Sequence, residues 1–242
     1  MKTLFLFFAI VFPHFLLSQI YFNNNYERNS EVSIGSNVIE LDTGGCIFPC
    51  CVYGSGYSSF VIIRVNLIGD TLWTKEYRKP LSSYSLAASN SFIKTFDSNY
   101  VFSGSVLDST NNRDALLVKI NINGDTLWTK TYGGANYDNA NKVCQTPDSG
   151  FVLMGVTQSF STGAASDFYL IKTDKNGVFQ WQHAYGTTLT EDCFSGQITL
   201  DGGYIMSGHR NNILHIVKTD ALGNFQWEKV IGSTAGQGFI NN

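Results

Sequence analysis

The sequence predicts an all-β chain of four-stranded antiparallel blades, a β-propeller, and three observations carry that prediction. The heptapeptide GDTLWTK occurs twice, at Gly69 to Lys75 and at Gly124 to Lys130. Tryptophan recurs at Trp73, Trp128, Trp181 and Trp227, and nine residues before each stands a base: Arg64, Lys119, Lys172 and Lys218. Charged residues are 14% of the 242, against roughly a quarter in an ordinary domain, while aromatics also reach 14% and glycines number 23. Short strands joined by tight turns suit that composition, and a strand pattern repeating every 40 to 55 residues or so marks stacked sheets.

The first element is "MKTLFLFFAIVFPHFLLSQ", one lysine followed by a run from Leu4 to Leu17 that is apolar except at Pro13 and His14. The run is short for a membrane helix and suits the core of a cleaved secretory signal over residues 1–19, cut near Ser18 or Gln19; a buried N-terminal strand or helix is the alternative. No membrane span is expected after cleavage. The segments "FVIIRVNLIGDTLWTKEY", "LLVKININGDTLWTKTYGG", "YLIKTDKNGVFQWQHAYG" and "HIVKTDALGNFQWEKVIG" each read as an apolar run, a glycine turn and a second run bearing the tryptophan. That is the form of a β-hairpin, with Asn123-Gly124 and Asn176-Gly177 supplying positive φ. The invariant offset of nine keeps each tryptophan on one face, because a slip of one residue would turn it over.

Upstream of each hairpin stands a strand, an Asp-led turn and another strand: "VIELDTGGCIF", "FIKTFDSNYVFSG", "VCQTPDSGFVLMG" and "ITLDGGYIMSG". The predicted blades are residues 31–77, 82–132, 136–185 and 188–231. Runs such as Val61 to Ile63 and Phe168 to Ile171 are apolar on both faces, so the sheets are expected to stack. A β-sandwich or solenoid is the competing architecture. Residues 235–242 resemble the start of a fifth copy, with Phe239 placed as Ala140 and Cys193 are, and "IYFNNNY" at Ile20 to Tyr26 could be a closing outer strand. The chain is therefore expected to be part of a longer propeller.

A formal net charge of -3 offers no basic field for nucleic acid. Five cysteines, Cys46, Cys50, Cys51, Cys144 and Cys193, show no zinc spacing; Cys50-Cys51 reads as two thiols or as a vicinal bridge, and Cys193 as a small packing residue. The basic column is expected to pair two residues along its own strand, with Asn66, Asn121, Asp174 and Asp220, and not to hold a ligand. The tryptophans are read as packing between blades and not as sugar platforms. "DSTNNRD" at Asp108 to Asp114 lacks the order of a calcium loop, so no metal is expected. No cofactor motif, nucleophile elbow or metalloprotease helix occurs.

The pattern Asp-Gly-Gly, Tyr-Leu-Ile-Lys-Thr-Asp, Gly, Trp and Tyr-Gly-Gly resembles the propeller repeats of secreted Bacteroidetes proteins associated with type IX secretion, from about Val38 to Gly232. The resemblance implies export to the surface or medium and no single activity. Asp174, Gly177 and Trp181 are also similar to the tryptophan-docking motif of quinoprotein propellers, as are Asp220, Gly223 and Trp227, though the turn is a residue shorter and lacks the threonine. Two functions follow: a secreted, non-catalytic module binding protein or glycan, or alternatively a propeller enzyme acting on carbohydrate or using a quinone.

In an up-and-down blade the loops joining strands one to two and three to four share one end, and here these are short and uniform. At the other end the segments Pro49 to Ser59, Leu107 to Asp114, Gln158 to Asp167 and Gly208 to Asn212 vary, as do Arg78 to Tyr84, Gly133 to Asp138 and Gly186 to Glu191. Variable loops on a rigid scaffold are where binding concentrates. The expected ligand face thus carries Tyr53, Tyr57, Arg78, Lys79, Tyr84, Arg113, Tyr137, Phe160, His209 and Arg210.

Overall fold

A computed structural model describes residues 32–35, 37–54, 57–77, 83–86, 91–107, 112–163 and 165–232, which are all β, with no helix. The signal segment, Ile20 to Tyr26 and residues 235–242 lie outside the described residues. The first sheet contains β1 (Val32–Gly35), β2 (Ile39–Glu40), β3 (Cys46–Gly54), β4 (Tyr57–Val65) and β5 (Thr71–Tyr77). The second contains β6 (Ser83–Leu86), β7 (Phe92–Lys94), β8 (Tyr100–Leu107), β9 (Arg113–Ile120) and β10 (Thr126–Tyr132). The third is β11 (Asp138–Gln145), β12 (Phe151–Thr157), β13 (Asp167–Thr173) and β14 (Phe179–Tyr185), and the fourth β15 (Glu191–Ile198), β16 (Tyr204–Arg210), β17 (Ile213–Thr219) and β18 (Phe225–Ile231). Every pairing is antiparallel, and in the third and fourth sheets each strand pairs with the next along the chain, a simple meander.

In the first two sheets the leading strand is split, with β1 and β2 both on β3, and β6 and β7 both on β8. Gly35 faces Cys50 and Ile39 faces Ile47, which leaves Pro49 opposite the break, where its missing N–H costs no ladder bond. The third and fourth sheets keep the strand whole with a bulge, between Ala140 and Lys142 and between Cys193 and Ser195. The bulge pushes a carbonyl at the next strand: a Cβ on Gly155 would lie 1.9 Å from the Asn139 oxygen, and one on Gly208 1.8 Å from that of Asp192. Here "FVLMG" and "YIMSG" end in glycine for want of room. Cys193, paired with Gly208 as Ala140 is with Gly155, is fully buried as a small packing thiol.

The offset of nine places each base directly across the hairpin from its tryptophan: Arg64 with Trp73, Lys119 with Trp128, Lys172 with Trp181 and Lys218 with Trp227. The expected partner two residues along is a correction. Asn66, Asn121, Asp174 and Asp220 instead turn their side-chain oxygen onto two amides of their own loop, such as Ile68 and Asp70, or Asn176 and Val178. Within these loops the glycine alone takes positive φ, at Gly69, Gly124, Gly177 and Gly223, and the asparagine before it does not.

The lysines reach the Asp-led turn at the same end of the sheet: Lys119 to Asp97 at 2.7 Å, Lys172 to Asp148 at 2.8 Å and Lys218 to Asp201 at 2.8 Å. In the first sheet Thr43 holds that aspartate's place, and the base there is Arg64, whose Nη1 donates to the Ile122 carbonyl of the second sheet at 3.5 Å. Burial pushes the Asp148 carboxyl up, but Lys172, Thr146 and the Gly150 amide together outweigh it and bring the value down to about 2. Asp97 and Asp201 are likewise held far below the usual range, each by its lysine and threonine. A depressed carboxylate gives stability that is present above its unfolded value and lost as pH falls through its folded one. The denaturant midpoint is therefore expected to fall between pH 3.8 and about 2. A variant with Asn at 97, 148 and 201 should show a shallower acid limb, and an unchanged slope would refute the assignment.

Successive sheets pack face to face through three shared cores. Phe60, Ile62, Phe102 and Leu116 join the first and second; Leu117, Val143, Phe151 and Tyr169 the second and third; Val152, Leu170, Met206 and Val217 the third and fourth. A repeated clasp closes each junction. Trp73, Trp128 and Trp181 lie against Gly124, Gly177 and Gly223 of the following sheet, where an added Cβ would come within 2.8, 3.0 and 2.8 Å of the indole. Four residues past each tryptophan a tyrosine hydroxyl donates to that same glycine's carbonyl: Tyr77 to Gly124, Tyr132 to Gly177 at 2.7 Å, and Tyr185 to Gly223. The tryptophans thus pack between sheets, Trp128 on Phe151 and Trp181 on Tyr204, both at 6.0 Å between ring centroids.

The pleat sends Cys50 and Cys51 to opposite faces of β3. Among the described residues no shared core joins the first sheet to the fourth, and none of them forms a helix long and apolar enough to cross a membrane.

Candidate functional site

Two segments expected as variable loops are mostly strand. Between Pro49 and Ser59 only residues 55–56 separate β3 from β4, so Tyr53 and Tyr57 stand on strand ends. Between Gly208 and Asn212 the chain turns on Asn211 and Asn212 alone, at φ of 46° and 65°. Asparagine tolerates that left-handed region, and two such residues in sequence form the tight turn a hairpin favours. Tyr84 stands on β6, while Arg78 and Lys79 lie outside the described residues.

His209 and Arg210 close β16 and belong to a polar network on the fourth sheet. Arg210 donates from Nε to Glu191 at 2.7 Å and from Nη2 to Glu228 at 2.7 Å. His215, fully buried, lies 3.0 Å from Glu228 and packs its ring 4.9 Å from that of Phe168. Burial and the Arg210 charge hold His215 below its ordinary value, against the pull of Glu228. His209 lies 3.6 Å from Asp192, with its ring edge-on to Phe194. Arg210 thus has its charge satisfied within the sheet, whereas Phe160, 40% exposed, rests on the buried Tyr169 at 5.7 Å.

Arg113 and Tyr137 come together at the junction of the second and third sheets. Three of the variable segments meet there: the end of the β8–β9 link with Asn112 and Arg113, the β10–β11 link with Asn136 and Tyr137, and Gln158 just after β12. They line an open groove of about 700 Å³. The Arg113 guanidinium lies 5.7 Å from the centre of the Tyr137 ring and donates to Ser105 Oγ at 3.1 Å. Burial pushes the Tyr137 phenol above its ordinary value although the Arg113 charge opposes it, so the ring stays neutral.

Behind the groove two carboxylates hold the loops in place. Asp138, fully buried, accepts from the Thr157 and Ser159 hydroxyls and from the Gly134 amide at 2.8 Å. Asp114 accepts from Asn112, which also donates to the Gly134 carbonyl at 2.9 Å. Both acids reach Gly133, where a Cβ would lie 2.5 Å from Asp114 Oδ1 and 2.6 Å from Asp138 Oδ2. This accounts for the glycine after Tyr132 in the Tyr-Gly-Gly motif: tyrosine secures one end of the junction and glycine clears the other.

No protein-family model and no curated protein sequence matches the chain. The site's own chemistry must then carry the functional reading. A cation, an aromatic face and neutral amides can grip hydroxyl- or carboxyl-bearing ligands, while Asp138, saturated by three donors, is poorly placed as a general base. A second hollow of about 510 Å³ at the short-turn end of the first sheet is lined by Leu67, Ile68 and Leu72, with Arg64 already turned to Ile122. Among the described residues no three His, Cys, Asp or Glu side chains gather to hold a metal ion.

Asn112, Asn136 and Gln158 were not singled out in the sequence. They fall inside the variable segments, but a neutral amide in a loop has no signature that separates a ligand contact from solvated chain. The Glu191–Arg210–His215–Glu228 network was missed for a different reason, because its members lie on four strands and share no spacing.

Proposed function

We propose that the chain is a secreted or cell-surface β-propeller repeat protein of the type IX-associated kind, acting as a non-catalytic binding module for a glycan or protein. The groove bearing Arg113 and Tyr137 carries the reading, since it is built from three of the variable segments and offers recognition groups with no nucleophile–base pair. The stacked antiparallel sheets and their repeated clasp support the propeller. The apolar N-terminal run supports export.

The test is a glycan array and a panel of extracellular matrix proteins, probed with the full chain and with Tyr137→Ala. A specific ligand whose binding weakens about tenfold in Tyr137→Ala is expected, the loss of one aromatic contact. If instead substitutions in the short-turn loops, Asn123→Ala or Asn176→Ala, abolish binding while Tyr137→Ala leaves it intact, the groove is not the site.

A further inference from the structure

We infer that the groove between the second and third sheets selects an acidic saccharide, with the Arg113 guanidinium taking the carboxylate of a uronic acid-type sugar and the Tyr137 ring stacking on its face. The inference rests on the binding-module reading above and adds the chemical class of the ligand. Among the described residues six basic side chains are paired with carboxylates. Lys119, Lys172 and Lys218 each hold an aspartate, Lys75 and Lys94 bridge to Asp125 and Asp42 of neighbouring sheets, and Arg210 holds two glutamates. Arg113 is half-buried at the groove rim, donates to a neutral serine hydroxyl, and among the described residues forms no ion pair with a carboxylate.

A half-buried guanidinium without a counter-charge is costly unless something supplies one, and its planar fork matches a carboxylate. The acids nearby do not serve. Asp138 is turned inward to Thr157, Ser159 and Gly134, and Asp114 to Asn112. The charges of Asp138 and Asp192 are felt at the Tyr137 phenol, but Asp192 is turned to Ser166 and His209, so its oxygens too are committed to other donors. The rest of the lining points to a sugar. Asn136 and Gln158 each bring a donor and an acceptor suited to hydroxyl groups, and Tyr137, 37% exposed, presents a ring face held under the cation. A peptide would require apolar side-chain pockets along the groove, and Leu107 is the one large aliphatic side chain in its lining.

The experiment measures binding of the full chain to polygalacturonate and to its fully methyl-esterified, uncharged form, by titration calorimetry at 50 and 300 mM salt, with glutamate-rich peptide as a third ligand. Binding of the polyuronate, at least about tenfold weaker for the ester and for Arg113→Gln, and weakening with salt, is the expected result. Arg113→Lys should recover only part of the loss, because a point charge cannot bind bidentately. Circular dichroism melts of the variants, expected to match the parent, separate a binding loss from misfolding. Equal binding of ester and acid, lost in Tyr137→Ala, would overturn the acidic selectivity and leave the glycan-binding reading standing. Binding of the peptide in place of both polysaccharides would overturn the saccharide assignment. Saccharide binding indifferent to both Tyr137→Ala and Arg113→Gln would overturn this inference and the groove reading together.

Discussion

Gly155→Ala is expected to lose at least about 3 kcal/mol of stability, the upper part of the range for overpacking a close-fitted site. Its Cβ would be built 1.9 Å from the Asn139 oxygen and 2.9 Å from the Ala140 Cα. All the nearest atoms are backbone, so no side chain can swing aside, and relief requires moving β11, which carries Asp138 and one wall of the groove. For a domain of this size the melting temperature should fall by roughly 6–12 °C. The change should also loosen Tyr137, visible as reduced binding of whatever ligand the groove takes. A variant melting within about 1 °C of the parent would show that the bulge opens freely.

Trp181→Ala should be nearly as damaging, and more informative by contrast with its counterpart in the fourth sheet. Trp181 is half-buried between Tyr204, His183 and the Gly223 turn. Truncation there removes the filler of the third junction and should cost about 3 kcal/mol, the low end for a buried tryptophan. Trp227 has the same sequence register but is 42% exposed, and Ile231 stands where the other sheets have the clasping tyrosine. Trp227→Ala should therefore cost under about 1 kcal/mol. Amide exchange should locate the difference, with faster exchange of β15 to β17 in Trp181→Ala and little change in Trp227→Ala. Equal losses from the two substitutions would mean that the tryptophans stabilise their own hairpins, not the junctions.

The contrast also shows how far the sequence could be read. Strand type, pairing and hairpin register were legible because they are local: a nine-residue offset across a five-residue loop leaves one way to set base against indole. That the tryptophans face another sheet was legible too, from apolar runs that a single sheet could not bury. The partner of the basic column was not, because Asp148 and Lys172 are 24 residues apart and meet only through the turn geometry at one end of the sheet. The nearer candidate, Asp174, was already committed to two amides of its own loop.

For the groove, the variable segments of the sequence included Arg113 and Tyr137, but variability could not rank them above Arg210. In the sequence all are polar or aromatic residues of segments that vary between the repeats, and what distinguishes them is the company each keeps. Arg210 meets Glu191 and Glu228 across the strands of one sheet, whereas Arg113 meets a tyrosine ring and a hydroxyl. By itself, then, the sequence determined which segments are strands, how each hairpin is registered and that the sheets must stack, because backbone pairing and side-chain alternation act between near neighbours. The tertiary structure alone decided which of the described bases meet a carboxylate and that Arg113 meets a ring and a hydroxyl at the groove, because electrostatic pairing depends on distance in space and not along the chain.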